Sequence, residues 1–192
     1  GILTADRPAH AGGTHFLLQL QGGFALPPAD DLDLSLGYGV HFGIGGRMAG
    51  SRIRFYGLVG FDRASFEGTG THAQTGRAFD VNRSYNDFQV GARMLIPIWW
   101  RIRWYMALLV GGSYLTGEIL RENYVYSDTS EWSGVLTATT GFEVRWHRHF
   151  ATGVRAELRW LMNGGDAIAV DAGQETPDEY RINILATQAF LF

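Results

Sequence analysis

From Leu34 to Arg47 the chain reads LSLGYGVHFGIGGR, and apolar and polar positions alternate strictly. Leu34, Leu36, Tyr38, Val40, Phe42 and Ile44 form one unbroken apolar row, while Ser35, Gly37, Gly39, His41, Gly43, Gly45 and Arg47 form a small or polar one. Successive side chains of a strand point to opposite faces, so this pattern predicts a β-strand with one greasy face and one polar or crowded face. The alternation runs for about fourteen residues, whereas soluble strands usually run nearer five or six. Sustained over that length and repeated along the chain, it points to strands that cross a membrane.

The repeats follow in order. Residues 1–13 lack periodicity and read as a flexible lead-in to a single domain spanning 14–192. The first strand sets Phe16, Leu18, Leu20, Phe24 and Leu26 against Gln19, Gln21 and Gly23, and the prolines at 27 and 28 end it. After the opening stretch, a turn at Ala49-Gly50-Ser51 leads to a third strand with Phe55, Val59 and Phe61 opposing Arg54, Tyr56 and Asp62. Glu67 to Arg83 shows no pattern and reads as a long loop. Phe88, Val90 and Met94 then oppose Asp87, Gln89 and Arg93, with Pro97 marking a short turn. The fifth strand places Ile102, Trp104, Leu108 and Val110 opposite Arg103, Tyr105 and Ser113, before a second unpatterned segment from Gly117 to Ser133. Leu136, Phe142 and Val144 oppose Thr137, Glu143 and Arg145 in the sixth; His147-Arg148-His149 is the turn. Val154, Ala156 and Leu158 oppose Arg155, Glu157 and Arg159 in the seventh, and Asn163 to Glu179 is a third long loop. The eighth, from Tyr180, sets Ile182, Ile184 and Phe190 against Arg181, Asn183 and Thr187.

Eight strands joined alternately by short and long connections predict an all-β, antiparallel up-and-down barrel spanning a membrane. Aromatic positions fall at two levels along these strands. Phe16, Trp99, Trp100, Trp104, Trp146 and Phe192 group at the short-turn end, and Phe24, Tyr38, Phe61, Tyr85, Tyr114 and Trp160 at the other. Two such belts suit the two interfaces of a bilayer.

Composition narrows the class. No run approaches the roughly 18–20 apolar residues of a membrane helix, yet the mean hydropathy of -0.06 does not exclude a barrel, whose inward residues dilute the average. Cysteine is absent, which excludes disulfides and thiolate metal sites. A soluble lipocalin-like barrel would turn the apolar row inward. Here the first strand has no Gly-x-Trp signature, and the faces read as inward carry many charges.

The final strand, RINILATQAFLF, ends in Phe190 and Phe192. With the eight alternating strands and the two aromatic belts, it resembles the small eight-stranded outer-membrane barrels of the OmpA/OmpX type over essentially the whole length; Gln188 departs from the usual apolar position. The resemblance implies a bacterial outer-membrane location with both termini, the lead-in and the short turns on the periplasmic side, and longer external loops. It also implies contact with outer-membrane lipid and lipopolysaccharide. Phe190 and Phe192 would be the signal read by the barrel-assembly machinery.

Eight strands enclose a space that side chains fill. Arg47, Arg54, Arg93, Arg103, Arg145, Arg155, Arg159 and Arg181, with Asp62, Asp87, Glu143 and Glu157, fall on the inward row and are expected to form a lumen network. The glycines at 37, 39, 43 and 45 are expected to make room for neighbouring Arg and Tyr side chains, and with no helix following they form no phosphate loop. His72 and Ser127-Asp128 are the loop groups that could serve catalysis, but no local motif joins them. His41 reads as a lumen hydrogen-bonding group, and His147 and His149 as interfacial. No cofactor, metal-ligand set or nucleic-acid surface is indicated. The four long connections hold 14 acids against Arg77, Arg83 and Arg121, a net of -11 where the whole chain carries -3. Such an acidic crown, Asp166, Asp171 and Asp178 included, reads first as solvated loop surface; the sharper alternative is that it attracts divalent cations or a basic protein partner. The expectation is a non-enzymatic barrel with a structural or surface-interaction role; the alternatives are a lipid-modifying barrel enzyme or a narrow channel.

Overall fold

The computed structural model describes residues 14–26, 33–47, 51–71, 78–121, 124–162 and 179–192. They form eight strands: β1 (His15–Leu26), β2 (Ser35–Arg47), β3 (Arg54–Thr71), β4 (Ala78–Trp99), β5 (Ile102–Arg121), β6 (Tyr124–His147), β7 (Phe150–Met162) and β8 (Glu179–Leu191). Each pairs antiparallel with the next, and β8 returns to β1 in the register Leu18↔Phe190, Gln21↔Thr187, Phe24↔Ile184. Closure removes the unpaired edges that any open sheet of this length would expose. The last residue takes part in it. Phe16 N–H donates to Phe192 C=O at 3.1 Å, and Phe192 N–H donates to Phe16 C=O at 2.9 Å.

Two long loops of the sequence reading are shorter than expected. β3 and β4 stay paired through Gly68↔Val81 to Thr71↔Ala78, so Glu67–Thr71 and Ala78–Arg83 are strand. β5 and β6 pair through Glu118↔Asp128 up to Arg121↔Tyr124, which takes in most of Gly117–Ser133. The ladder needs only backbone groups. Toward these extensions the alternation changes sense, with Glu67, Asp80 and Glu118 outward and Phe66, Val81 and Leu115 inward, so the apolar-out row by which the crossing strands are recognised ends there. Pro97 also lies within β4 rather than in the turn: the register slips between Pro97 and Trp99, as suits a residue with no N–H to donate, and the turn falls at Trp100-Arg101. The wall is therefore uneven, with β3–β6 running 18, 22, 20 and 24 residues and the other four strands 12 or 13.

Strand alternation sorts the side chains as the pattern requires. Leu36, Phe42, Val59, Val90, Leu108, Phe142, Val154 and Ile184 are all exposed on the outside, giving a predominantly apolar belt. Inside, the barrel is layered. Leu17, Tyr56, Leu58, Leu95, Tyr105, Leu109 and Leu191 pack together toward the short turns. Ala25, Ala64, Phe66, Val81, Tyr85, Leu115 and Leu161 pack toward the other, loop end. Charged groups occupy the space between them.

Leu108, 58% exposed at mid-belt between Ala92 and Ala138, tests what the belt faces. Substitution of a water-facing side chain usually changes stability by within about 0.5 kcal/mol, whereas Arg at a bilayer midplane costs about 2–4 kcal/mol. Leu108→Arg is expected to pay the larger cost when the chain is refolded into lipid vesicles and unfolded with guanidinium. A cost near zero would mean that the belt faces water.

Candidate functional site

Residues two apart on a strand share a face, which is why Arg155, Glu157 and Arg159 of β7 all enter the lumen. Arg159 is the hub. Its guanidinium meets Asp62 of β3 at 3.0 Å, Glu157 at 2.7 Å, and Asp87 of β4. Asp87 is also held by Arg181 of β8 at 2.5 Å and accepts the Ser113 hydroxyl at 2.5 Å. Glu157 takes Arg155 and accepts from the Asn183 amide at 3.0 Å. Asp62 completes the set with His41 Nε2 at 2.9 Å and the Gln21 amide. Arg181 lies over the Tyr85 ring at 4.6 Å. Three guanidiniums thus balance three carboxylates, all buried, and the set joins every strand except β6.

Space for this cluster comes from glycine. A Cβ on Gly39 would run into the Asp62 carboxylate, and one on Gly60 into the His41 ring. The neighbours of the β2 glycines differ from the Arg and Tyr side chains expected. Gly39 clears Asp62, Gly43 clears Leu58, Gly45 lets the β3 backbone at Phe55 approach, and Gly37 sits at ordinary distance from Ala25 and Ala64. Acidic and apolar partners lie there because cross-strand register, not side-chain size, decides which residue faces each glycine.

A second cluster lies nearer the short turns. Arg93 bonds Glu143 and donates to Gln19 Oε1 at 2.5 Å, with its guanidinium 4.4 Å from the Tyr105 ring centroid. Arg103 reaches the same carboxylate at 3.5 Å. The other expected lumen arginines stay at the turn rim, outside both clusters. Arg47 Nε donates to the Ser51 carbonyl at 2.5 Å, Arg145 donates to the carbonyls of His147 and Arg148 at 3.1 and 2.6 Å, and Arg54 is half-buried opposite Leu95. Residues close to a strand end can reach a turn carbonyl more easily than a mid-barrel carboxylate.

At the turn end Phe16, Trp99, Trp100, Trp146 and Phe192 are exposed, and Trp104 and Trp146 donate to Thr140 and Thr152 at 2.8 and 2.7 Å. Phe190 stacks on Phe150 at 5.4 Å. At the loop end Phe24 and Tyr38 are exposed. Phe61 packs on Phe88 at 5.0 Å, Tyr114 on Trp132 at 5.2 Å, and Trp160 on Tyr180 at 6.3 Å. Tyr85 does not belong to this belt. It shares the inward parity of Asp87, is 0% exposed, and stands edge-on to Phe66 at 5.7 Å. Trp132 and Tyr180 take outward places that the sequence reading missed, although the alternation of their strands marks both.

The acids of the loop end divide in two. Asp166, Asp171 and Asp178 lie outside the described residues, as does His72. Glu67, Asp80 and Glu118 are exposed on the outward face of the β3–β5 extensions, with Asn82 opposite both Glu67 and Glu118. Ser127 and Asp128 are β6 residues opposite Ile119 and Glu118 rather than loop residues. Among the described residues no group of His, Asp and Glu has the arrangement to hold a metal ion.

No protein-family model and no curated protein matches the sequence. Solved structures do match in fold. Neisserial surface protein A is 10% identical with a TM-score of 0.50, covering 92% of this chain and 96% of that one. Ail, the attachment invasion locus protein of Yersinia pestis, crystallised with the heparin analogue sucrose octasulfate, is 12% identical with a TM-score of 0.51, covering 94% and 99%. The outer-membrane protease OmpT of Escherichia coli is 8% identical with a TM-score of 0.55; the match covers 84% of this chain but 65% of OmpT. At these identities the likeness is one of barrel architecture.

Removing the hub cation should be far worse than removing a rim cation. Arg159→Met leaves Asp62, Asp87 and Glu157 facing one another, and breaking a buried pair costs about 3–5 kcal/mol. Arg148→Met, exposed in a turn, should stay within about 0.5 kcal/mol. Guanidinium unfolding of the two variants in vesicles reads the difference; equal midpoints would show that the lumen network contributes nothing.

Proposed function

We propose that this chain is an integral barrel of a bacterial outer membrane, with both termini periplasmic, acting by structure and surface interaction rather than catalysis. The observation that carries the reading is the inverted build of the wall: a predominantly apolar belt outside, interrupted at Thr140 and Gln188, and ion pairs inside. A water-soluble barrel would invert that order, because a belt of this extent in water is an aggregation site. The two aromatic levels suit the bilayer interfaces, and Phe190 and Phe192, set in the β1–β8 seam, suit an assembly signal.

The loop end supplies the interaction surface. β3–β6 exceed the roughly 9–11 residues needed to cross a bilayer, so their far ends form a wall standing clear of the lipid. Its partner must be positively charged. Ail was crystallised with the heparin analogue sucrose octasulfate; the long connections of this chain are strongly acidic and would repel such a polyanion. A basic protein surface, or divalent cations shared with the phosphates of lipopolysaccharide, fits the sign of the charge. Catalysis finds less support. The His41–Asp62 pair is buried, with Asp62 already engaged by Arg159, and it lies between the two apolar layers.

Those layers also argue for a closed lumen. In planar bilayers the reconstituted chain is expected to pass no steady current of porin size, and stable open-channel conductance would replace this reading with that of a pore.

For the loop end, millimolar Ca²⁺ is expected to slow proteolysis of the long connections. The triple variant Asp166→Asn, Asp171→Asn, Asp178→Asn should lose that protection. Cleavage rates indifferent to Ca²⁺ would leave the acids as solvating groups only.

A further inference from the structure

The three short-turn stretches Arg47–Arg54, Pro97–Arg103 and Arg145–Phe150 contain seven arginines and not one acid. Four of these, Arg47, Arg52, Arg54 and Arg103, converge on a basin of ≈ 550 Å³ at the turn-end mouth of the barrel. Their existing partners do not neutralise them. Arg47 is satisfied by a neutral carbonyl. Arg103 reaches Glu143 at 3.5 Å, a carboxylate that Arg93 already holds more closely. Arg52 and Arg54 have no carboxylate partner among the described residues. Like charges held together in a concavity raise the local potential and concentrate an anion there. The planar, forked guanidinium matches the oxygens of a phosphate in particular.

The remaining lining says which phosphate. Ile98 and the indoles of Trp99 and Trp100 border the same basin and are 58%, 75% and 86% exposed, and Ile98 continues the outward row of Ile96 on β4. A free inorganic anion gains nothing from such a border, whereas an amphiphile can put its charge among the arginines and its chains along the belt. We propose that the turn-end basin binds the phosphodiester headgroup of an anionic phospholipid from the adjacent leaflet, anchoring the barrel's depth and tilt. This site rests on the membrane reading above and lies at the opposite end from the acidic wall. Guanidinium–phosphate contacts are charge-assisted, and losing two of them lowers affinity by about tenfold or more.

The test uses the full chain in micelles doped equally with phosphatidylglycerol and phosphatidylcholine, with retained lipid read by native mass spectrometry. The wild type is expected to keep phosphatidylglycerol about tenfold over phosphatidylcholine, and the preference should collapse as salt rises from about 0.05 M to about 1 M. Arg52→Gln with Arg54→Gln should bring the ratio near one, while Arg63→Gln, exposed on the loop-end face of β3, should leave it unchanged. Equal retention of the two lipids by the wild type would overturn the proposal, as would a salt-indifferent preference or one surviving the double variant. So would inorganic phosphate binding at millimolar concentration without lipid selectivity. Insertion into vesicles, followed by heat-modifiable gel mobility, is scored separately: a chain that inserts without lipid preference refutes only the basin, whereas a chain that never enters lipid refutes the membrane reading itself.

Discussion

Closure of the β1–β8 seam forces the inward row of every strand into one narrow lumen, and the rest of the structure follows from how that lumen is filled. Charges taken from water there must be paired, because an unpaired buried ion costs several kcal/mol. Arg159 meets this requirement for three carboxylates at once, and Arg181 and Arg155 supply the remaining positive charge. The partners sit on β3, β4, β7 and β8, so the ion pairs form only if those strands hold their registers. A slip of one residue would turn the inward row toward the belt. The network therefore selects register as well as filling space.

The apolar layers at either end make the same interactions stronger. Phe66, Tyr85 and Leu161 above, and Tyr56, Leu95 and Tyr105 below, limit the water that reaches Arg159 and its partners. Low local dielectric strengthens each satisfied pair and raises the penalty of each unsatisfied one. Glycines at 39 and 60 leave room for Asp62 and His41, which larger residues would push apart. A charged centre packed between two apolar layers fits the closed lumen proposed above.

Much of this was legible in the chain, because the alternation in strands of twelve or more residues leaves little freedom. Leu34–Ile44 pointed outward and Gly37–Gly45 inward as the pattern required. Structure and pattern part where that signal changes sense or competes with residue type. Beyond the belt the outward row of β3–β5 turns polar while Phe66, Val81 and Leu115 stay inside, so the strands continue where the apolar-out pattern ends. Residue type and distance along the strand suggest a belt position for Tyr85, though its parity with Asp87 puts it inside. The apolar layers were harder to foresee. Leu109 and Leu115 sit on a row otherwise marked by Tyr105 and Ser113, and in sequence they blur with the outward Leu108 and Tyr114. The grouping of Arg159 with Asp62 and Asp87 could not be read at all, since it depends on register across five strands.

Charge is distributed in the same logic. The lumen's central cluster is neutral, so the acids of the long connections and the arginines of the short turns are left as opposite poles of one barrel. Neither pole can relax by pairing with the other, because the belt and the packed lumen separate them. Each must find its counter-charge outside the chain. On the function and the headgroup site proposed above, a cation or basic surface would serve one end and an anionic headgroup the other, and a barrel bound at both ends would be held in depth and orientation. Reversing the barrel would then set arginines and acids each against the wrong partner, so the asymmetry proposed to recruit ligands would also resist inversion.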